Sequence, residues 1–234
     1  MKFMTNKDSS DKGVNLSKKI DRVFKDYFDI DQKPESLLNN EKALEKAQAG
    51  QFKSLLTEKL NDKNNKRIYP LKELVEDVLS GLQHRDLEKI DQKFLIKGKH
   101  LQVMDIDKDK KKLNNTCDFE KRIIKNNDVL LRVKGQIGPA VLITEDEAGM
   151  YYYNDLVRIR VDMDQIIPQY LSLYLNSFIG KHFLNKNAKS KSMNYINITS
   201  VKEIPVLTPM IIDQWKIVKK YFTMKSIQKI EEID

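Results

Sequence analysis

Residues 127–143, NDVLLRVKGQIGPAVLI, constrain the fold more than any other stretch of the chain. Two short apolar runs flank a Gly-x-x-Gly that is followed at once by a proline. Each run is too short for a helix of ordinary length. The glycines open backbone conformations that other residues avoid, and Pro139 has no N–H to offer a continuing ladder. The spacing predicts a β-hairpin or bulged turn across Gly135 and Gly138.

Further strand-like runs surround this hairpin: KFLI near 93–96, LQVMDI at 101–106 and DLVRIRV at 155–161. In the last, Leu156, Arg158 and Arg160 alternate with Val157, Ile159 and Val161, the pattern of a half-buried strand. Tyr151, Tyr152 and Tyr153 are expected in a core-and-edge strand. Residues 69–81, YPLKELVEDVLSG, read as a short helix with Pro70 near its start and Gly81 as its stop. Residues 168–184 return to a helical period, with Pro168 in the first turn and Tyr170, Leu171, Tyr174, Leu175 and Phe178 inward. A final helix is expected over 210–232, with Ile211, Trp215, Val218, Phe222 and Ile227 as its stripe. Upstream, helical periodicity covers 14–28 (Leu16, Ile20, Val23, Phe24, Tyr27, Phe28) and roughly 36–60, where Gly50 is a candidate break. The polar NDKNNK at 61–66 reads as a linker. These patterns divide the chain into a flexible start at 1–13, a helical segment at 14–60, an α+β domain at 67–209 and a C-terminal helix at 210–234.

Charge and missing motifs narrow the function. The chain carries 42 Lys+Arg against 34 Asp+Glu, a formal net charge of +8, which favours an anionic partner. Residues 181–192, KHFLNKNAKSKS, hold Lys181, Lys186, Lys189 and Lys191 without an acid, as a loop along phosphates would. Cys117 is the only cysteine, so no internal disulfide or cysteine zinc cluster can form, and a reducing cytoplasm is expected. The N-terminus has no apolar core of a secretory signal, and no apolar run is long enough to span a membrane. From Asp105, DIDKDKKKLNNT mimics a calcium loop but has Lys110 where glycine is needed and Thr116 where a bidentate glutamate belongs. His84, His100 and His182 have no zinc spacing. Phosphate-loop, dinucleotide and nucleophile-elbow signatures are missing. The Gly-x-x-Gly of a single-stranded-RNA-binding KH domain joins two helices, whereas strand-like residues flank this one. Neither a cofactor nor a metal is expected.

Taken together, the segments resemble a target recognition domain of a type I restriction-modification specificity subunit. The similar stretches run in family order over roughly 68–222: YPLKELVEDVLSG, NDVLLRVKGQIGPAVLI, YNDLVRIRVD, PQYLSLYLNS, then AKSKS with INITSVKEIPVLTP, and DQWKIV. Three features depart from the family. Lys189 and Lys191 stand in a polar loop that usually carries Ser-Gly-Ser, one domain replaces the usual two, and the last helix is short. The resemblance implies an α+β fold with a twisted mixed or barrel-like sheet and packed helices. It also implies a non-catalytic subunit that binds double-stranded DNA and directs a methyltransferase subunit and, through it, a restriction-translocase subunit. Arg132, Lys134, Gln136 and Asn194, on or beside expected turns, carry donors suited to base edges. Lys186, Lys189 and Lys191 suit phosphates. The apolar stripes at Leu16, Ile20, Val23 and Phe24 and at Trp215, Val218 and Phe222 suggest a homodimer joined through terminal helices. Two other classes stay open: a metal-dependent nuclease-associated subunit, and a helical partner-binding protein without DNA readout.

Overall fold

The computed structural model describes residues 6–28, 68–91, 94–106, 119–189 and 194–231. The helical pattern expected at 36–60, the linker at 61–66, most of the calcium-like run and Lys191 lie outside them.

The constraining stretch folds as the expected hairpin. Strands β6 (Val129–Arg132) and β7 (Ala140–Leu142) pair antiparallel, with Val129 opposite Leu142 and Leu131 opposite Ala140. The Arg132 N–H donates to the Pro139 carbonyl at 3.0 Å, and the Gly138 N–H donates to the Arg132 carbonyl at 3.2 Å. Gly135 and Gly138 take φ of 74° and 126°, values that favour glycine strongly.

This hairpin is half of the main sheet. With β2 (Val75–Ser80) and β9 (Leu156–Val161) it makes a four-stranded antiparallel sheet in the order β2-β9-β6-β7. The sheet is open; among the described residues nothing closes it into a barrel. Short two-stranded ribbons flank it: β1 (Ile68–Pro70) with β10 (Pro205–Leu207), β3 (Leu95–Ile96) parallel to β8 (Tyr151–Tyr152), and β4 (Leu101–Gln102) with β5 (Asp105–Ile106).

Both faces of the sheet are buried, because alternate residues enter separate cores. Val129, Leu131, Val157 and Ile159 pack with Tyr170, Leu171 and Tyr174 of α2 (Pro168–Asn176) and with Ile20, Val23 and Phe24 of α1 (Asn6–Phe28). The Phe24 ring lies 5.8 Å from that of Tyr170 and 6.0 Å from that of Tyr174. On the opposite face Leu130, Val141 and Leu156 meet Ile96, Leu101, Ile106 and Tyr152. This corrects the half-buried reading of 155–161. Arg158 is 3% exposed; its guanidinium pairs with Asp77 and donates to the Lys121 carbonyl. Tyr151 and Tyr152 are buried, as expected.

Further expectations are corrected. Residues 69–81 form β1, a 3-10 turn at Leu71–Glu73 and β2, not one helix. Val75 and Val78 pair across to Val161 and Ile159, so β-branched residues and tertiary pairing override local helical periodicity. Gly81 caps nothing: a Cβ there would lie 2.3 Å from the Tyr153 carbonyl oxygen, so glycine permits a close backbone approach. The run 101–106 folds back on itself as the ribbon of β4 and β5, turning at Met104 with φ of 62°.

Residues 168–187 are two helices, α2 and α3 (Phe178–Asn187), jointed at Ser177. The Ser177 hydroxyl accepts from the Gly180 N–H, and Asp21 of α1 caps the Phe178 N–H at 2.7 Å. After the lysine loop the chain makes an isolated bridge at Tyr195 and a short helix, α4 (Ile198–Lys202), capped by Asn197.

The last helix, α5 (Ile211–Glu231), buries Gln214, Ile217, Val218 and Tyr221. Trp215 and Phe222, expected in the stripe, are exposed, as is Ile212. The inward face is set by α1, which packs along α5 and donates from Lys19 to the Met224 carbonyl. No helix of the described residues is long and apolar enough to cross a membrane.

Candidate nucleic-acid interface

The hairpin turn and the lysine-bearing loop lie 50 or so residues apart in sequence, yet they form one edge. Tyr195 joins them. Its N–H donates to the Lys189 carbonyl at 3.0 Å, and its own carbonyl accepts from the Lys189 N–H at 2.9 Å. On the other side Tyr195 bridges Lys134. The Gly135 N–H donates to the Asn194 carbonyl at 2.9 Å, and the Ile196 N–H to the Val133 carbonyl at 2.9 Å. Lys134, Gln136, Lys189 and Asn194 are thereby brought together by main-chain hydrogen bonds.

Gln136, Lys189 and Asn194 are exposed on this edge, while Arg132 and Lys134 are half-buried. Lys186 is exposed in the last turn of α3, just before Ala188 ends the helix and the chain enters the loop. The run 181–192 is thus helical in its first half, not a loop throughout. Lys181 faces α1, where its Nζ meets the Ser17 hydroxyl, and stands apart from the edge.

Among the described residues two kinds of cation stand out. Arg158 pairs with Asp77, and Arg160 makes a two-pronged pair with Asp128, 2.8 Å from Nε and 2.8 Å from Nη2. That bond raises the Arg160 pKa above its ordinary value, hydrogen bonding outweighing desolvation. By contrast, among the described residues none of Arg132, Lys134, Lys186 and Lys189 forms an ion pair with a carboxylate. Cations left uncompensated along one edge suit a polyanion, and donors such as Gln136 and Asn194 between them suit base edges.

Sequence reasoning passed over Asp128. It is 1% exposed and also accepts from the Lys125 N–H at 2.7 Å. Asn127 before it holds φ of 69°. An Asn-Asp pair directly before an apolar run was the available signal: a turn residue tolerant of positive φ, then an acid at a strand start.

The sequence profile of the family described as the type I restriction modification DNA specificity domain matches residues 53–233. The chain belongs to this family. It is similar to the type I restriction enzyme EcoBI specificity subunit of Escherichia coli, 25% identical over 128 residues, which is 51% of this chain and 27% of that subunit. Among solved structures, the HsdS subunit of Thermoanaerobacter tengcongensis matches with a TM-score of 0.51 at 16% identity, over 71% of this chain and 44% of that one. A chain from a structure of complex assembly and conformational transition in the type I R-M system matches with a TM-score of 0.51 at 15% identity, over 95% of this chain and 53% of that one. At such identities the structural likeness speaks for the fold alone. The chain spans about half or less of the length of these specificity-subunit relatives.

Proposed function

We propose that this specificity-family chain is a DNA-reading module of a type I restriction-modification system, acting in the cytoplasm. In this reading residues 67–209 recognise double-stranded DNA and the C-terminal helix serves partners. The module does no chemistry itself: it directs a methyltransferase subunit to its target and, through it, a restriction-translocase subunit. The observation that carries the reading is the joined edge, where cations without carboxylate partners among the described residues flank Gln136 and Asn194. Lys186, Lys189 and Lys191 hold phosphates, and Arg132, Lys134, Gln136 and Asn194 are the candidate base readers. The glycines of the turn let backbone approach the duplex closely.

A mobility-shift assay with purified protein, with and without magnesium, tests this. A salt-sensitive shift without cleavage is expected. Cleavage with magnesium would favour a nuclease, and no shift at low salt would favour a helical partner-binding protein. Methylome sequencing with and without the gene would name the target.

For assembly, the α1 stripe is spent in the chain's own core, since Ile20, Val23 and Phe24 are buried there. Among the described residues, an apolar surface open to self-association or to the methyltransferase lies on α5 around Ile212, Trp215 and Phe222, which are 59%, 48% and 42% exposed. A two-fold dimer through this surface would read an interrupted palindrome.

A further inference from the structure

Arg132 lies where another turn closes on the edge. Its Nε donates to the Lys134 carbonyl at 3.2 Å, which fastens the side chain to the hairpin. Neither Nη nitrogen has a partner among the described residues. The guanidinium is therefore anchored at its base, with both forward nitrogens left over. A bidentate fork to guanine uses those two nitrogens.

Beside the guanidinium stands the 3-10 turn Gly98–His100, which follows Lys97. The Gly98 N–H donates to Asp155 Oδ2 at 2.8 Å, and the Asp155 carbonyl accepts from the Val133 N–H at 2.9 Å. The Lys97 N–H donates to His100 Nδ1 at 3.1 Å and fixes the shape of the turn. A Cβ on Gly98 would stand 2.6 Å from Asp155 Oδ2 and 2.8 Å from Arg132 Nε. Gly98 needs no unusual φ, so its glycine is a matter of space beside these two side chains. The second carboxylate oxygen of Asp155 is buried without a hydrogen-bond partner. Lys99, in the middle of the same turn, is exposed and has no carboxylate partner among the described residues.

We propose that the Lys97–His100 turn is a further element of the DNA interface, in which Gly98 is a positioning residue that sets the pose of Arg132 as a base-reading fork and Lys99 is an added phosphate contact. This rests on the DNA-reading function proposed above. A phosphate contact tolerates a mobile side chain, whereas a two-pronged base contact needs its plane held. That division assigns Arg132 to the base and Lys99 to the backbone.

The test is selection from a randomised duplex pool by the full chain with its methyltransferase subunit, followed by sequencing and a salt titration. Wild type is expected to enrich a motif. R132K and G98A should relax one and the same base pair, by about tenfold or more, while unrelated duplex is bound as before. K99A should keep the motif and lower the salt slope by about one unit. Thermal melting reports folding. Should alanine at 98 unfold the chain, R132K and K99A carry the test, since neither adds an atom to the turn. A motif unchanged in R132K overturns Arg132 as the reader. A motif relaxed in R132K but intact in folded G98A overturns the positioning role, and an unchanged salt slope in K99A removes Lys99. If wild type enriches nothing and shifts no DNA, the DNA-reading function falls and this inference falls with it.

Discussion

Asp128 and Lys189 show how differently a charge is used within one small domain. Asp128 is buried and receives three hydrogen bonds, two from Arg160 and one from the Lys125 main chain. Asp128→Asn keeps the shape but loses the ionised acceptor, so it should cost about 1.5–3 kcal/mol of stability by urea unfolding. Asp128 directly precedes β6, so it sits at the end of the strand away from the glycine turn. Folded Asp128→Asn protein should therefore select the same DNA motif as wild type; an altered motif would place Asp128 in recognition instead. Lys186, Lys189 and Lys191 are expected to act oppositely. Their joint replacement by alanine should leave melting nearly unchanged and weaken binding to every sequence alike, with the salt slope falling by about one unit per lost contact. An unchanged slope would remove this loop from the interface.

Among the elements, close approach of backbones decides more than propensity does. A Cβ on Gly180 would stand 2.2 Å from the Tyr174 carbonyl oxygen, at the joint of α2 and α3, as one on Gly81 would meet that of Tyr153. Gly81→Ala and Gly180→Ala push against main chain, which yields little, and each should cost about 2–3 kcal/mol. Gly98→Ala pushes against two side chains and should cost clearly less, so the order of urea midpoints among the three variants checks the reasoning. The same contrast explains what the sequence could tell. The hairpin at 127–143 was legible because apolar period, glycines and proline all agree within one stretch. Residues 69–81 were misread because their helical spacing is local, whereas their pairing partner, β9, begins some 75 residues downstream. Arg158 and Arg160 looked like a solvent face because nothing local announces Asp77 and Asp128 as partners. Lys134, Gln136, Lys189 and Asn194 could be nominated from turn position and residue type. Their meeting through Tyr195, and the closeness of Gly98 to Arg132, follow from tertiary closure that no local pattern encodes.

For the whole molecule, the buried tyrosines set an upper pH limit. Burial holds Tyr170 and Tyr174 above the ordinary value of 10.0 and lifts Tyr152 and Tyr221 to about 12. Tyr152, Tyr170 and Tyr174 donate to the carbonyls of Leu79, Leu207 and Pro205, which tyrosinate could not do. Their raised folded-state pKa means that the unfolded chain releases these protons first. The stabilisation is fully present below about pH 10 and is lost as pH climbs toward 12, at up to about 1.4 kcal/mol per pH unit for each tyrosine. Tyrosinate absorbance and circular dichroism should change together above pH 10; tyrosines that ionise near pH 10 in an intact fold would contradict the burial. At the edge that joins hairpin turn and lysine loop the arrangement is different. The turn and the loop are spliced by peptide groups, Gly135 to Asn194, Lys189 to Tyr195 and Val133 to Ile196, and peptide groups are the same whatever side chain they carry. Lys134, Gln136, Lys189 and Asn194 can therefore be exchanged without loosening the seam that holds them. In the proposed DNA-reading role, the target would change one side chain at a time while the scaffold stays still. Libraries randomised at 134, 136 and 194 should accordingly melt close to wild type yet diverge in the DNA they select.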